Sequence, residues 1–255
     1  MKASEVFVTD GLTPPTGWVE RAESLGLTFA PGEVERLGQY LALLLDANTR
    51  MNLTAIRDAD DAWEKHIYDA LTLVPVLAEV SGVDGSPAEI IDVGSGGGIP
   101  GLVLACVMPG VQFTLLDATG KKCAFLFESA ERLGLTNVTV VHDRAERAGR
   151  FGDGECRARF DAVISRAVGR LAMLLELTVP LAKVGGLVVL TKGQKADEEV
   201  AEAKKALHML HAAHAGTVET ATGRIVVIEK LRESPKIYPR ADGEPKRVPL
   251  GVKKA

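Results

Sequence analysis

The apolar positions of this chain change period along its length, and each change marks a different kind of element. Between residues 31 and 45, Val34, Leu37, Tyr40, Leu41, Leu44 and Leu45 recur at spacings of three and four, the period of one buried helix face. Pro31 and Gly32 stand just ahead of them, and proline is well suited to a helix start. A second helical stretch over 60–80 places Trp63, Ile67, Ala70, Leu71 and Val74 on one side. Upstream, the polar segment to Thr16, with its Pro14-Pro15 pair, predicts a loosely ordered arm.

The turn-rich run SGVDGSP at 81–87 is the clearest internal boundary. Beyond it, short β-branched or apolar runs at 89–93, 111–116, 138–141, 160–165 and 187–191 alternate with helical stretches near 101–108, 121–133 and 171–181. A further helix over 196–214 precedes two candidate strands near 217–222 and 224–230. Strands alternating with helices across short loops predict a doubly wound, mostly parallel α/β sheet covered on both faces. The expected organisation is therefore an N-terminal helical extension over 1–80, packed on the core, an α/β core over 81–231, and a tail over 232–255.

That tail holds Pro235, Pro239, Pro245 and Pro249 and is expected to form neither a helix nor a central strand. From Lys230 onward it carries eight basic residues against three acidic ones, whereas the whole chain has a net charge of −4. The overall charge excludes a uniformly basic coat for nucleic acid, so any such contact must be local. Two readings of the tail stay open: a solvated flexible end, or a strap contacting RNA phosphates through Lys236 and Arg240 with Tyr238 stacking on a base. The three cysteines (Cys106, Cys123 and Cys156) are scattered without paired spacing, which indicates neither a disulfide framework nor a zinc site. No run is long enough for a secretory leader or a membrane span, so a soluble cytoplasmic protein is expected.

The strongest chemical signal is the run from Ile90 through Asp92, Gly94, Gly96 and Gly98 to Gly101. A hydrophobic strand enters a loop of small residues, and a helix follows near Pro100. Such a loop lets the backbone approach a bound nucleoside closely. Asp117 lies twenty-one residues after Gly96 at the end of the next strand, where a carboxylate can accept ribose hydroxyls. Read from Gly94, the loop has the form usual in methyltransferases; read from Gly96, it also fits the weaker dinucleotide fingerprint. Asp92 before the loop, placed to meet the amino-acid end of a cofactor, favours the first reading. So does the run Asp143-Arg144-Ala145-Glu146 after the third strand, placed to read an adenine edge. Three histidines, His208, His211 and His214, recur at a spacing of three on the helix expected over 196–214, without the partners a metal site needs. No metal is expected.

Several more specific runs then narrow the field. These are Met51-Asn52-Leu53-Thr54-Ala55-Ile56, His66-Ile67-Tyr68-Asp69-Ala70, Leu115-Leu116-Asp117-Ala118-Thr119-Gly120-Lys121-Lys122, Ile164-Ser165-Arg166-Ala167 and Lys192-Gly193-Gln194. With the glycine loop, they resemble the bacterial 16S ribosomal RNA guanine-N7 methyltransferases, also called the glucose-inhibited division protein B family, from about Leu37 onward. The resemblance implies a Rossmann-like, class I fold whose 81–231 core binds S-adenosylmethionine. It places Gly94 and Ile99 on the methionine and ribose side and Gly96 in the cofactor loop. Asp117 falls on the ribose, Ala145 and Glu146 on the adenine, and Arg166 at the active-site mouth as the candidate catalytic residue. It further implies 16S rRNA or the small ribosomal subunit as partner; separately, the chain is expected to act as a monomer. The stretch 147–159 is longer and more basic than the family pattern, but it touches none of these motifs.

Guanine N7 carries a free lone pair, so its methylation needs positioning and a suitable field, not a general base. The chain lacks the Asn/Asp-Pro-Pro-aromatic run used on exocyclic amines, and no cysteine follows its fourth or fifth strand. Arg166 has two readings, a bidentate contact to guanine O6 or phosphate and a salt bridge to Asp92 or Asp117. Lys192 is a phosphate contact or a solvated loop lysine, and His66 is more often structural in such a setting. The rivals left standing are a methyltransferase for another RNA, a protein or a small molecule, a nicotinamide oxidoreductase, and a non-catalytic RNA-binding assembly factor.

Overall fold

The computed structural model describes residues 11–166 and 169–251. Met1 to Asp10 of the expected arm, Ala167, Val168, and Lys253 and Lys254 of the tail lie outside the described residues. Seven strands form one sheet: β1 (Glu89–Val93), β2 (Gln112–Asp117), β3 (Val138–His142), β4 (Phe160–Ser165), β5 (Ala182–Lys192), β6 (Ala212–Glu219) and β7 (Arg224–Lys230). Their spatial order is β3-β2-β1-β4-β5-β7-β6. The first five run parallel, whereas β7 pairs antiparallel with both β5 and β6. Chain order reverses between β1 and β4, which opens a crevice above the carboxyl ends of those strands.

The side chains sort by the strand period of two. Ile90, Phe113, Ile164, Val189 and Ile225 pack on one face with Leu104 of α6 (Gly101–Val107). Ile91, Val93, Val163, Val188 and Val226 pack on the other. There they meet Leu171 and Leu175 of α9 (Leu171–Thr178) and Leu207 of α10 (Ala196–Leu210). Covering both faces explains why the strands read as nearly unbroken apolar runs.

The N-terminal helices form a second core against the sheet. From α1 (Trp18–Glu23) and α2 (Glu33–Asn48), Trp18, Leu37, Tyr40, Leu41 and Leu44 join Trp63 and Ile67. This cluster continues into Leu102 of α6 and into Phe125 and Leu126 of α7 (Gly120–Arg132). The helix expected over 60–80 is broken into α3 (Ala59–Ala62), a π-helical turn at Trp63–Tyr68, α4 (Asp69–Leu71) and α5 (Val74–Leu77), the last with Pro75 in its first turn. Period-based reading merges such pieces because the same face stays apolar throughout. Another departure lies at the end of α10: His211 adopts a left-handed conformation with φ 61° and stops the helix. His208, His211 and His214 therefore do not share one helix, and His214 lies on β6.

The tail is folded. Arg157 donates to the carbonyl oxygens of Gly149 at 2.8 Å, Tyr238 at 2.7 Å and Ser234 at 2.7 Å, so the 147–159 stretch and the tail are bound together. Arg240 grips Glu176, which is completely buried on α9, with Nη2 2.6 Å from Oε2. The tail also includes a one-turn helix, α11 (Glu244–Arg247), against the expectation of none. Its proline is in the first turn, where a missing N–H costs no helical bond.

Candidate functional site

The cleft above β1 and β2 is built from the glycine loop outward. Strand β1 ends at Val93, and the amides of Gly94 and Ser95 turn back onto the Leu116 carbonyl at 2.8 and 3.1 Å. Asp117, at the tip of β2, then fixes the loop: its Oδ2 accepts the Gly96 amide at 3.0 Å and its Oδ1 accepts the Thr119 amide at 2.8 Å. An ionised carboxylate has about four acceptor positions, so these two amides do not exhaust it, and Asp117 lines the cleft. From behind, the buried Tyr40 hydroxyl donates to the Gly97 carbonyl at 2.7 Å. Gly101, where α6 begins, leaves no room for a side chain; a Cβ there would sit 2.3 Å from Leu115 Cδ2 and 2.8 Å from Asp92 Oδ2.

Four of the residues singled out in the sequence, Gly94, Asp117, Ala145 and Glu146, line this one cleft. Glu146, on the short α8 (Ala145–Ala148), is held by the tail, its Oε1 accepting the Gly243 amide at 2.9 Å. Sequence reasoning missed the far wall, formed by Met173, Leu174 and Leu177 of α9, and the floor at Leu116. Nothing in a helix of ordinary core residues distinguishes those that face a cleft from those that face the sheet.

Two expected cofactor contacts sit elsewhere. Asp92 is fully buried beneath the loop, with Oδ2 accepting the Gly101 amide at 3.0 Å, and so acts on the loop and not in the cleft. Its Oδ1 has no hydrogen-bond partner among the described residues. Burial pushes this carboxyl up to about 7, against the lowering effects of the Gly101 amide and Ser95. Ile99 is likewise buried, in the core shared with the N-terminal helices.

Arg166 leaves the end of β4 and pairs with neither Asp92 nor Asp117. Its Nη1 donates to the Lys65 carbonyl at 2.8 Å and lies 3.4 Å from Asp69 Oδ2. Its Nη2 is 3.4 Å from His66 Nδ1, and His66 Nε2 is 2.7 Å from Thr54 Oγ1. Burial and the Arg166 charge push His66 down to about 4, so the imidazole is neutral near pH 7. The Asn-Leu-Thr and His-Ile-Tyr-Asp runs thus converge on Arg166, a link visible only in three dimensions.

Of the four expected RNA contacts, three are engaged or buried within the fold and one is exposed. Lys192 is 7 % exposed and salt-bridged to Glu199 Oε2 at 2.8 Å, which leaves it unavailable to a phosphate. Tyr238 is buried among tail and helix residues and cannot stack on a base. Arg240 is committed to Glu176. Lys236 remains exposed, its ammonium 4.4 Å from the centre of the Phe151 ring. None of the cysteines is a reactive thiolate: all three are buried, and burial pushes Cys106 up to about 12.

Comparisons with known proteins agree with this geometry. The family model described as GidB, rRNA small subunit methyltransferase G, matches residues 33–227. A ribosomal RNA small subunit methyltransferase G from Sorangium cellulosum is 50% identical over 228 residues, 89% of this chain and 92% of the relative. Its namesake from Streptococcus pyogenes serotype M4 is 36% identical over 241 residues, 92% of this chain and 99% of the relative. The crystal structure of a proposed O-methyltransferase from Klebsiella pneumoniae shares the fold at 15% identity, with a TM-score of 0.52 over 84% of this chain and 96% of that one. Matched over most of its length by the family model and by close relatives, the chain belongs to the GidB family, the rRNA small subunit methyltransferases G.

Proposed function

We propose that this protein transfers the methyl group of S-adenosylmethionine to N7 of a guanosine in the decoding region of 16S rRNA. The observation that carries the reading is Asp117, which fixes the glycine loop through the Gly96 amide while facing the same cleft as Gly94 and Glu146. The cleft suits this cofactor. Asp117 has free acceptor positions for two ribose hydroxyls, Glu146 presents a carboxylate to an adenine edge, and Leu116, Met173 and Leu174 offer apolar walls to the ring. Gly94 and Gly96 bring backbone alone to the strand end, and Asp92 and Ile99 support that loop from below. When bound, the cofactor supplies an electrophilic sulfonium methyl group.

What the chain's own residues do is position and shield. Arg166, at the mouth, offers a planar fork of donors suited to guanine O6 or a phosphate. The Lys65 carbonyl and Asp69 aim it. His66 has both ring nitrogens engaged and is no free base, in keeping with a nucleophile that already carries its lone pair. Buried, protonated cysteines offer no covalent route. N7 lies in the deep, narrow groove of A-form RNA, so the target must sit in a loop, an end or a distorted region. The protein acts as a cytoplasmic monomer, with the described parts of the extension and tail, 11–80 and 232–251, bracing the 81–231 core. Among the described residues, no helix is long and apolar enough to cross a membrane.

The test is to incubate the protein with S-adenosylmethionine and unmodified 16S rRNA or small subunits, then digest the RNA and identify the nucleoside. 7-Methylguanosine supports the reading. Methyl transfer to protein or small molecules alone would replace it with a rival on the same fold.

A further inference from the structure

A second recess opens beside the cofactor cleft, at the ends of β4 and β5, lined by Arg166, Gly169, Arg170, Thr191, Lys192 and Glu199. The two adjoin, since Ser165 lines the first and Arg166 the second. Their shared wall is tight: a Cβ on Gly169 would lie 2.4 Å from the Cε of Met173, which lines the cofactor cleft.

The three cations of the recess differ in what already holds them. Lys192 Nζ donates to the Gly169 carbonyl at 2.7 Å and pairs with Glu199 at 2.8 Å. The same Glu199 oxygen accepts the Leu171 amide at 2.9 Å. Together these bonds tie Gly169 and Leu171 to the end of β5 and the start of α10. Arg166 is anchored to Lys65 and Asp69. Arg170 is exposed, and its guanidinium has neither an ion pair nor a hydrogen bond among the described residues.

We propose that this recess seats a backbone phosphate of the RNA beside the target guanosine, that Arg170 is the cation it meets, and that Lys192 and Glu199 are positioning residues that hold Gly169 and Leu171 on either side of Arg170. The inference rests on the RNA-methyltransferase reading and adds where the strand lies. A polyanion binds by displacing counterions from uncompensated cations, and of the three cations in the recess Arg170 is the one without a partner among the described residues. The tail, the alternative site of contact, keeps Lys236 exposed but has its Arg240 held by Glu176 and its Tyr238 buried. A phosphate in the recess would enter at the rim of the cleft where the methyl group is delivered.

The test measures binding of a fluorescent single-stranded fragment of small-subunit rRNA across a salt series, alongside calorimetry with S-adenosylmethionine and turnover on 16S rRNA. Arg170→Ala is expected to weaken RNA binding about fivefold at low salt and to flatten the log–log salt slope by about 0.7. Arg170→Lys retains the slope, because a point charge suffices for a phosphate. Affinity for S-adenosylmethionine stays at the wild-type value in both. Lys192→Met keeps the wild-type slope and loses about tenfold in kcat, a split that marks positioning rather than contact. Wild-type slope in Arg170→Ala overturns the seat, as does a slope lost in Lys192→Met and not in Arg170→Ala. Failure of the underlying function looks different: the wild type binds RNA with the Arg170-dependent slope yet leaves no methyl group in it.

Discussion

Replacing Asp117 with Asn removes one charge and one acceptor and leaves the shape of the side chain unchanged. In the native protein both oxygens accept backbone amides, Gly96 at 3.0 Å and Thr119 at 2.8 Å. Asparagine can accept only one of them; its amide nitrogen then points at the other N–H donor. An amide that loses a charged acceptor in a largely buried site costs about 1–3 kcal/mol. For a chain of this size each kcal/mol moves the melting temperature by roughly 2–4 °C, so a fall of about 2–12 °C is expected. The cofactor suffers separately. Two ribose hydroxyls that donate to a carboxylate would face one acceptor and one donor, at a cost of about 1.5–3 kcal/mol, or roughly 10- to 100-fold in Kd. Calorimetry with S-adenosylmethionine and with S-adenosylhomocysteine should show the same loss, since the ribose is common to both. Scanning fluorimetry without ligand reports the structural part. A variant that melts several degrees lower yet binds both ligands within twofold of wild type would refute the ribose role and leave Asp117 as a loop brace alone.

Three further outcomes follow from buried charges and the loop. Arg240→Ala strands the buried Glu176 carboxylate and should destabilise the protein by about 3–5 kcal/mol; the double variant Arg240→Ala/Glu176→Leu should recover much of that loss in urea titrations, and no recovery would mean the pair is not the source. Asp92, raised by burial from 3.8 to about 7, keeps a proton in the folded state that the unfolded chain has already released. Its contribution is therefore complete below about pH 4 and is lost as pH rises through 7, by about 4 kcal/mol in all. Asp92→Asn still accepts the Gly101 amide and should flatten the fall in stability across that window, whereas an unchanged pH profile would contradict the burial argument. Tyr40→Phe removes the bond to the Gly97 carbonyl and should cost about 1–3 kcal/mol of stability, with an unchanged melting temperature as the contrary result.

The sheet was the most legible part of the chain, because β1 and β4 lie between two layers of helices and so carry apolar residues on both faces. The site was legible wherever backbone geometry demands a residue type: the glycines of the loop and the acid at the tip of β2 are fixed by local stereochemistry. Legibility failed where a side chain's role depends on a distant partner. Lys192 reads as a free cation until Glu199, on the next helix, is seen beside it. Arg240 and Tyr238 read as an RNA strap until α9 and Arg157 are found holding the tail. Arg166 presents the same case, its partner being Asp69 and neither of the acids nearer to the cofactor loop. The π-helical turn at Trp63–Tyr68 was hidden because it leaves the apolar stripe intact while shifting the hydrogen-bond period.

The central claim is tested most directly by transfer of labelled methyl from S-adenosylmethionine to small ribosomal subunits that lack the modification, followed by chemical cleavage at 7-methylguanine. The account predicts label in 16S rRNA, a single cleavage stop in the decoding region, and loss of both in an Arg166→Ala variant that still folds and binds cofactor. Label without a 7-methylguanine stop, or wild-type turnover by Arg166→Ala, would contradict it.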